Sequence, residues 1–124
     1  SKALEAAAAE VESATGATVE VVAVGDCPLD ERAAAVAAAA REAMLNAAKF
    51  GEGSPVAVYA EAGDERIQVF VRDRGPGFDP AAVPPERRGV RESILGRMER
   101  AGGRAAVRPS QGGGTEVEIV LERP

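Results

Sequence analysis

An aspartate at the end of an apolar strand, followed by two glycines one residue apart, is the stretch of this sequence best suited to bind a ligand. Apolar residues alternate over 67–71, which predicts a strand with one buried face. Asp73 then ends the strand, because an unpaired carboxylate is costly in an apolar core. Gly75 and Gly77 lack a Cβ, so the backbone there can approach a ligand closely. The pattern suits the floor of a ligand-binding site, in which the acid accepts hydrogen bonds from the edge of a heterocyclic base. A tight turn capped by aspartate is the structural alternative.

A second group of polar residues lies along one side of a predicted helix that begins at Asp30, its N-cap, and ends near Lys49. Glu42 and Asn46 are four residues apart and Lys49 is three further on, so the three share one stripe. An acid, an amide and a lysine can serve water activation, metal coordination and phosphate neutralisation. A solvated helix edge with a Glu42–Asn46 contact is the alternative. The stripe borders the predicted core face: Val36, Ala40, Ala43, Met44 and Ala47.

The composition narrows the possible functions. The chain has 124 residues, the size of one domain, and its net charge of −5 argues against extended nucleic-acid binding. It contains no histidine, which excludes catalytic triads and metal sites that need one on this chain. Cys27 is the only cysteine, so no internal disulfide can form and a reducing compartment is expected. No apolar run reaches the roughly 18 residues that a membrane-spanning helix needs.

Periodicity and turn residues define the elements that must position these side chains. Strands are predicted where apolar residues alternate, and helices where they recur at steps of three and four. The segment between the first glycine pair and the last helix carries three prolines and no periodicity, which predicts an irregular loop. In chain order the predictions are a helix 2–13 ended by Gly16, a strand 18–24, a turn 25–29, a helix 30–49, a loop 51–54, a strand 55–61, a hairpin turn 62–65, a strand 67–71, the irregular loop 79–89, a helix from Val90 ended by Gly102, a strand 104–108, a glycine turn 112–114 and a strand 115–121.

The joint order and spacing of these motifs resembles the ATP-binding catalytic domain of bacterial sensor histidine kinases, in the superfamily that includes gyrase, Hsp90 and MutL. Residues 41–50 resemble the family's N-box, residues 73–78 its first glycine box and residues 112–115 its last glycine box. The similarity extends over residues 18–121. Other nucleotide motifs do not fit, since Pro80 stands where a dinucleotide fingerprint has its third glycine. The resemblance implies an α/β two-layer sandwich of the Bergerat type, a mixed sheet with helices on one face.

The resemblance also implies roles for single residues. Asp73 would accept a hydrogen bond from the adenine amino group, with support from Thr115. Asn46 would ligate the Mg²⁺ ion that bridges the phosphates of ATP. Glu42 would act near the γ-phosphate, as a base or as a carboxylate beside the metal. Lys49 would contact phosphate.

The same resemblance assigns an ATP lid to residues 79–92. Gly75 and Gly77 would let the lid pass over the nucleotide, and Gly89 would form its far hinge. The family's second glycine box usually has Gly-x-Gly before the helix, whereas this chain keeps one glycine there. Either backbone contact to phosphate would then be weaker, or the positive charge of Arg88 and Arg91 would substitute for it. The residues implied at this position are Arg88, Gly89, Val90 and Arg91.

The family context predicts the partners. The chain would be the excised ATP-binding domain of a sensor kinase, cytoplasmic or the cytoplasmic part of a membrane protein, with residues 1–16 as the connector helix from an upstream dimerisation domain. That domain would carry the phosphoacceptor histidine, and a response regulator would act downstream. Residues 91–100 look most like the nitrate-response-type sensor kinases. The alternatives are a nucleotide-gated interaction module, an anti-sigma-type serine kinase, or a scaffold that binds no nucleotide.

Overall fold

The computed structural model describes residues 2–25, 30–50, 53–63, 65–75, 85–109 and 114–122 of the chain. These residues form three helices and five strands that follow the predicted order closely. The elements are α1 (Lys2–Thr15), β1 (Val19–Gly25), α2 (Glu31–Phe50), β2 (Val56–Ala62), β3 (Arg66–Arg72), α3 (Pro85–Arg100), β4 (Arg104–Pro109) and β5 (Thr115–Glu122).

The start of α3 differs from the prediction. The irregular segment was expected to reach Gly89, with the helix starting at Val90, but α3 begins at Pro85. The expectation is wrong because proline suits the first turn of a helix, where an amide hydrogen would have no intrahelical partner. Residues 85–92 of the expected lid are therefore helical. The rest of the expected lid, residues 79–84, lies outside the described residues.

The five strands form one mixed sheet in the order β1-β2-β3-β5-β4. Strands β1 and β2 are parallel, and the other neighbouring strands are antiparallel. A parallel pair needs a crossover connection, which α2 supplies, so α2 runs back along the sheet to the end where β2 begins. The register places Ala57 opposite Arg72, and Arg72 opposite Glu116. The end of β3 and the start of β5 therefore lie at that same end of the sheet.

The helices cover one face of the sheet and enclose the core. Met44, Ile94 and Met98 are fully buried between helices and sheet. Every residue predicted for the core face of α2 is buried, which confirms that prediction. The inward-facing strand residues follow the expected alternation: Val56, Val58, Ala60, Ile67, Val69, Val71, Val117, Ile119 and Leu121.

Local hydrogen bonds define the helix ends. The Ala33 amide donates to Oδ1 of Asp30 at 2.8 Å, so Asp30 is the N-cap of α2 as predicted. Helix α3 ends at Arg100 and is followed by a turn in which Gly102 has φ of 85° and the Gly103 amide donates to the Met98 carbonyl at 2.8 Å. A glycine suits this left-handed position because it has no Cβ. None of the helices in the described ranges is long and apolar enough to cross a bilayer.

The outer face of the sheet carries a group of polar side chains on β3, β5 and β4, which we call the outer-face network. Arg72 and Arg108 both pair with Glu116, and Arg108 also pairs with Glu118 at 3.0 Å. Gln68 donates to Glu118 at 2.6 Å. These pairs link β5 to the strands on either side of it. The members are Gln68, Arg72, Arg104, Arg108, Glu116, Glu118 and Glu122.

Candidate functional site

The predicted site residues Asn46, Asp73 and Thr115 come from three elements whose relevant ends meet at one end of the sheet. Asn46 lies near the C-terminal end of α2, Asp73 directly follows β3, and Thr115 begins β5. The Asp73 amide donates to the Thr115 carbonyl at 3.1 Å, and the Arg74 amide donates to Oγ of Ser54 at 3.1 Å. The second bond ties the loop after α2 to the residue next to Asp73. The topology thus places the aspartate and the helix stripe at the same end of the sheet.

Asp73 is a buried acid within a tight turn. It is 4% exposed, and its Oδ1 accepts a hydrogen bond from the Gly75 amide at 2.9 Å. This is the local geometry of the aspartate-capped turn. Turn-capping aspartates usually lie at the surface, however, because burying a carboxylate is costly. The burial of Asp73 therefore distinguishes it from an ordinary turn residue. Gly77 lies outside the described residues.

Gly114 allows the start of β5 to lie against the backbone of Asp73. Its φ is +89°, and a Cβ added there would be 2.0 Å from the Asp73 carbonyl oxygen. From the residues alone, the triple glycine indicated mainly a hairpin turn. The resemblance of this segment to the last glycine box was the signal for the close approach. Thr115, the next residue, is 4% exposed. Gly112 and Gly113 lie outside the described residues.

The stripe on α2 divides into two half-buried side chains and one exposed side chain. Glu42 and Asn46 are half-buried, whereas Lys49 is exposed with its Nζ 5.3 Å from the centre of the Phe50 ring. No hydrogen bond joins Glu42 to Asn46, so the solvated edge with a Glu42–Asn46 contact does not describe this stripe. Oδ1 of Asn46 is buried and has no hydrogen-bond partner among the described residues.

Glu42 instead contacts α3. Its Oε2 accepts a hydrogen bond from Oγ of Ser93 at 3.1 Å and lies 3.7 Å from Nη2 of Arg97. We call the group formed by Glu42, Asn46, Ser93 and Arg97 the α2–α3 seam. The sequence reasoning did not select Ser93 or Arg97. Their spacing of four residues on one helix, which places them on one face, was the available signal.

The residues implied at the second glycine box lie within the first half of α3. Arg88 and Gly89 are exposed, and Val90 and Arg91 are partly buried. A Cβ at Gly89 would meet nothing within 4 Å. The expectation that Gly89 ends an irregular lid is wrong, because Gly89 is inside a helix that begins four residues earlier.

Comparison with protein families decides the classification. The model of the histidine kinase-like ATPase domain matches residues 4–107. The chain belongs to this family. The match extends from α1 into β4 and includes Asn46 and Asp73.

Solved structures of sensor histidine kinases share the fold of this histidine kinase-like ATPase domain. The mycobacterial sensor histidine kinase MprB has a TM-score of 0.71 and 21% identity, over 99% of this chain and 95% of that chain. The ATP binding domain of PrrB from Mycobacterium tuberculosis has a TM-score of 0.74 and 23% identity, over 99% and 93%. Full-length ShkA in complex with AMPPNP has a TM-score of 0.67 and 26% identity, over 97% of this chain and 29% of that chain. Comparison with curated protein sequences finds no match.

The side chains of this ATPase domain suit a metal ion that takes most of its ligands from phosphate and water and few from the protein. No cluster of three or more His, Cys, Asp or Glu side chains that could hold a metal ion occurs among the residues described. Mg²⁺ prefers oxygen ligands and usually takes one or two from protein, with the others from water and phosphate. The unpartnered Oδ1 of Asn46 is an oxygen donor of this kind. The residues present therefore fit a magnesium ion that is bound together with a nucleotide.

A cavity of about 590 Å³ opens at the opposite end of the sheet of this ATPase domain. Its lining is mainly aliphatic and includes Leu4, Val36 and Ile67, together with residues 23–25. None of the predicted site residues lines it. Binding sites usually bring a few polar groups together within an apolar cleft. The buried polar residues within the described ranges, Asp73, Thr115 and Glu116, instead lie at the end that holds Asp73 and Asn46.

Proposed function

We propose that this domain binds Mg-ATP and donates the γ-phosphoryl group to a histidine on a separate domain of a two-component sensor kinase. One observation carries the proposal: in a member of the histidine kinase-like ATPase family, a buried acid lies at the same end of the sheet as a buried amide oxygen that has no hydrogen-bond partner in the described part of the chain. The acid suits a purine base, and the amide oxygen suits a metal ion that is bound to phosphate.

Adenine recognition is assigned to Asp73 with Thr115. A carboxylate accepts hydrogen bonds from an amino group, and a bond to a charged acceptor is stronger than one between neutral groups. The Gly75 amide holds one carboxylate oxygen of Asp73, which orients the group before a ligand binds. The Thr115 side chain is buried beside it. Gly114 permits this proximity because its position has no room for a Cβ.

Phosphate binding is assigned to the C-terminal part of α2 and the first half of α3. Phosphoryl transfer depends mainly on positioning and on neutralisation of charge. Asn46 would hold the magnesium ion, which supplies positive charge at the phosphates when bound. Lys49, Arg88 and Arg91 would provide further positive charge, with Gly89 and Val90 beside them. Glu42 would accept the proton of the attacking group, since a carboxylate in reach of that proton is a general base.

The wider assignment follows from the same proposal. The phosphoacceptor histidine would lie on a dimerisation domain linked through α1, and a response regulator would take the phosphoryl group from it. The family match and the longer ShkA chain support such an arrangement. The resemblance of residues 91–100 favours placement with nitrate-response-type sensor kinases, and the domain would act in the cytoplasm.

Calorimetry and a transfer assay test the proposal together. The chain is titrated with Mg-ATP, and it is then incubated with radiolabelled ATP and an isolated histidine-bearing dimerisation domain. We expect heat of binding and an acid-labile phosphohistidine on the added domain. Absence of heat at millimolar Mg-ATP would overturn nucleotide binding. Label on serine of another protein would overturn the histidine kinase assignment and leave nucleotide binding intact.

A further inference from the structure

The α2–α3 seam holds two buried side-chain polar atoms that have no hydrogen-bond partner among the described residues. Oδ1 of Asn46 and Nε of Arg97 are buried side-chain atoms with no hydrogen-bond partner in the part of the chain that the structure describes. Both residues flank Glu42, because Asn46 is one helical turn beyond it and Arg97 lies across from it on α3. Buried polar groups are almost always hydrogen-bonded in folded proteins. Two such atoms beside one carboxylate therefore call for an explanation.

The Glu42 carboxylate is held by α3, but incompletely. Oγ of Ser93 donates to Oε2 of Glu42 at 3.1 Å, whereas Nη2 of Arg97 is 3.7 Å away. The first distance is a hydrogen bond, and the second is an ion pair without one. Both contacts reach the same oxygen atom from one face of α3. The carboxylate thus has a fixed direction and a guanidinium beside it.

Arg97 has the donors needed to complete this contact. Its Nε and Nη2 lie along one edge of the guanidinium, the edge that can bind a carboxylate through two parallel hydrogen bonds. The buried Nε has no partner, which is a cost that a two-point contact with Glu42 would remove. A small rotation of the side chain would bring both donors to the carboxylate.

We propose that Ser93 and Arg97 are positioning residues for Glu42 and set the rate of phosphoryl transfer without contributing to nucleotide affinity. This inference rests on the proposed function, in which Glu42 accepts the proton of the attacking group. A glutamate has several rotamers, and a base must be within hydrogen-bond reach of the proton that it takes. The hydroxyl and the guanidinium restrict the carboxylate to one arrangement. Neither group has to touch the nucleotide for this purpose.

The test compares Ser93→Ala and Arg97→Gln with the unmodified chain and with a matched control. Arg100→Gln removes the same charge from an exposed position on the same helix. The rate of transfer to the added histidine-bearing domain, the affinity for Mg-ATP and the unfolding transition are measured for each variant. We expect transfer to fall about tenfold in Arg97→Gln and a few-fold in Ser93→Ala, since misplacement of a catalytic group by a fraction of an ångström slows a reaction strongly. Affinity should stay within twofold, and Arg100→Gln should match the unmodified chain.

A second comparison shows whether these residues act through Glu42. In the Glu42→Gln background, Arg97→Gln should cause no further loss of rate, because residues that act as one unit are not additive. A full additional loss would overturn the inference, and so would an unchanged rate in both α3 variants. Arg97→Lys should recover part of the rate by restoring the charge. If Arg97→Gln does not fold, Ser93→Ala and Arg97→Lys decide the question.

The failure of this inference can be told apart from the failure of the proposed function. If Glu42→Gln slows transfer while the α3 variants do not, only the positioning role is overturned. If Glu42→Gln transfers as fast as the unmodified chain, the role proposed for Glu42 is overturned, and this inference with it. Absence of transfer by the unmodified chain would overturn both proposals.

Discussion

Glu116, which is buried, and Glu42, which is half-buried, are two acids beside arginines whose surroundings differ. Glu116, in the outer-face network, pairs with Arg72 and with Arg108, the latter at 2.8 Å. Glu42, in the α2–α3 seam, has one hydroxyl at 3.1 Å and one guanidinium at 3.7 Å. The first acid has strong partners from strands on both sides. The second has one hydrogen bond and one longer ion pair, next to two buried atoms that have no hydrogen-bond partner among the described residues.

Under the proposed function, the difference separates groups that stabilise the fold from groups that serve nucleotide binding and phosphoryl transfer. A satisfied ion-pair network links β5 to its neighbours and helps to maintain the register of the sheet. An unsatisfied amide or guanidinium lowers stability and persists where function needs it. The outer-face network should therefore affect unfolding and leave nucleotide binding unchanged. Side chains of the candidate site, such as Asp73 and Asn46, should affect nucleotide binding and not lower the stability. Residues whose backbone geometry builds the site are the exception.

The largest effect is expected from Gly114→Ala, which introduces a methyl group into the contact between β5 and Asp73. Gly53→Ala is the matched control, because Gly53 has φ of +83° but nothing within 4 Å of an added Cβ. The control should lose about 1 kcal/mol of unfolding free energy through its backbone conformation alone. Gly114→Ala should lose about 3 kcal/mol or more, because the Asp73 backbone must move. Urea denaturation measures both values, and equal losses would contradict the close approach.

Asp73→Ala should weaken ATP binding by about 1.5–3 kcal/mol, a roughly tenfold to hundredfold loss, because a charge-assisted hydrogen bond to adenine disappears. Glu118→Gln in the outer-face network is the control and should leave the affinity unchanged. Isothermal titration calorimetry measures both variants. An affinity for ATP within twofold of the original in Asp73→Ala would refute the role assigned to this acid.

Asn46→Ala should weaken the binding of Mg-ATP without lowering the unfolding free energy. The variant should lose affinity for Mg-ATP more than for metal-free ATP, and equal losses would argue against metal ligation. Its unfolding free energy should stay unchanged or rise, since a buried oxygen without a partner costs about 1–3 kcal/mol. Gln68→Ala provides the contrast, because the Gln68 amide donates to Glu118 at 2.6 Å. Removing that satisfied amide should lower the unfolding free energy by about 0.5–1.5 kcal/mol and leave nucleotide affinity unchanged.

The smallest effect is expected from the pH dependence of the outer-face network. The hydrogen bond from Arg108, followed by the one from Gln68, lowers the pKa of Glu118 below its ordinary value. A lowered pKa in the folded state stabilises the protein above the unfolded pKa of about 4.3, and this contribution disappears as the pH falls through the folded pKa. Because Arg108 is 44% exposed on its side chain, the contribution should be below about 1 kcal/mol.

Urea denaturation from neutral pH down to about pH 3 compares Glu118→Gln with the unmodified chain. The variant should lose less stability on acidification because it has no carboxylate at this position to protonate. Parallel pH curves for the two proteins would show that Glu118 contributes nothing to the acid sensitivity.

Much of the fold could be predicted from residue patterns because each pattern depends on neighbours along the chain. Alternating apolar residues defined β2 and β3, recurrence at steps of three and four defined α2, and Asp30 marked its start. These features are local consequences of helix and strand geometry. The predicted start of α3 was wrong because a local pattern could not decide it. Proline is compatible with both a loop and the first turn of a helix.

The arrangement of the site depends on contacts between residues that are far apart in the chain. Ser93 and Glu42 are separated by 51 positions, and Arg72 and Glu116 by 44. No periodicity carries information about such pairs, since the strand order and register bring them together only when the core packs. The residue types at Asp73 and Asn46 therefore indicated what could bind. The packed sheet and helices determine the distances between the site residues, the burial of Asp73 and the incomplete contact between Arg97 and Glu42. In a packed structure, the fold sets the partners of a side chain, and its neighbours in the chain do not.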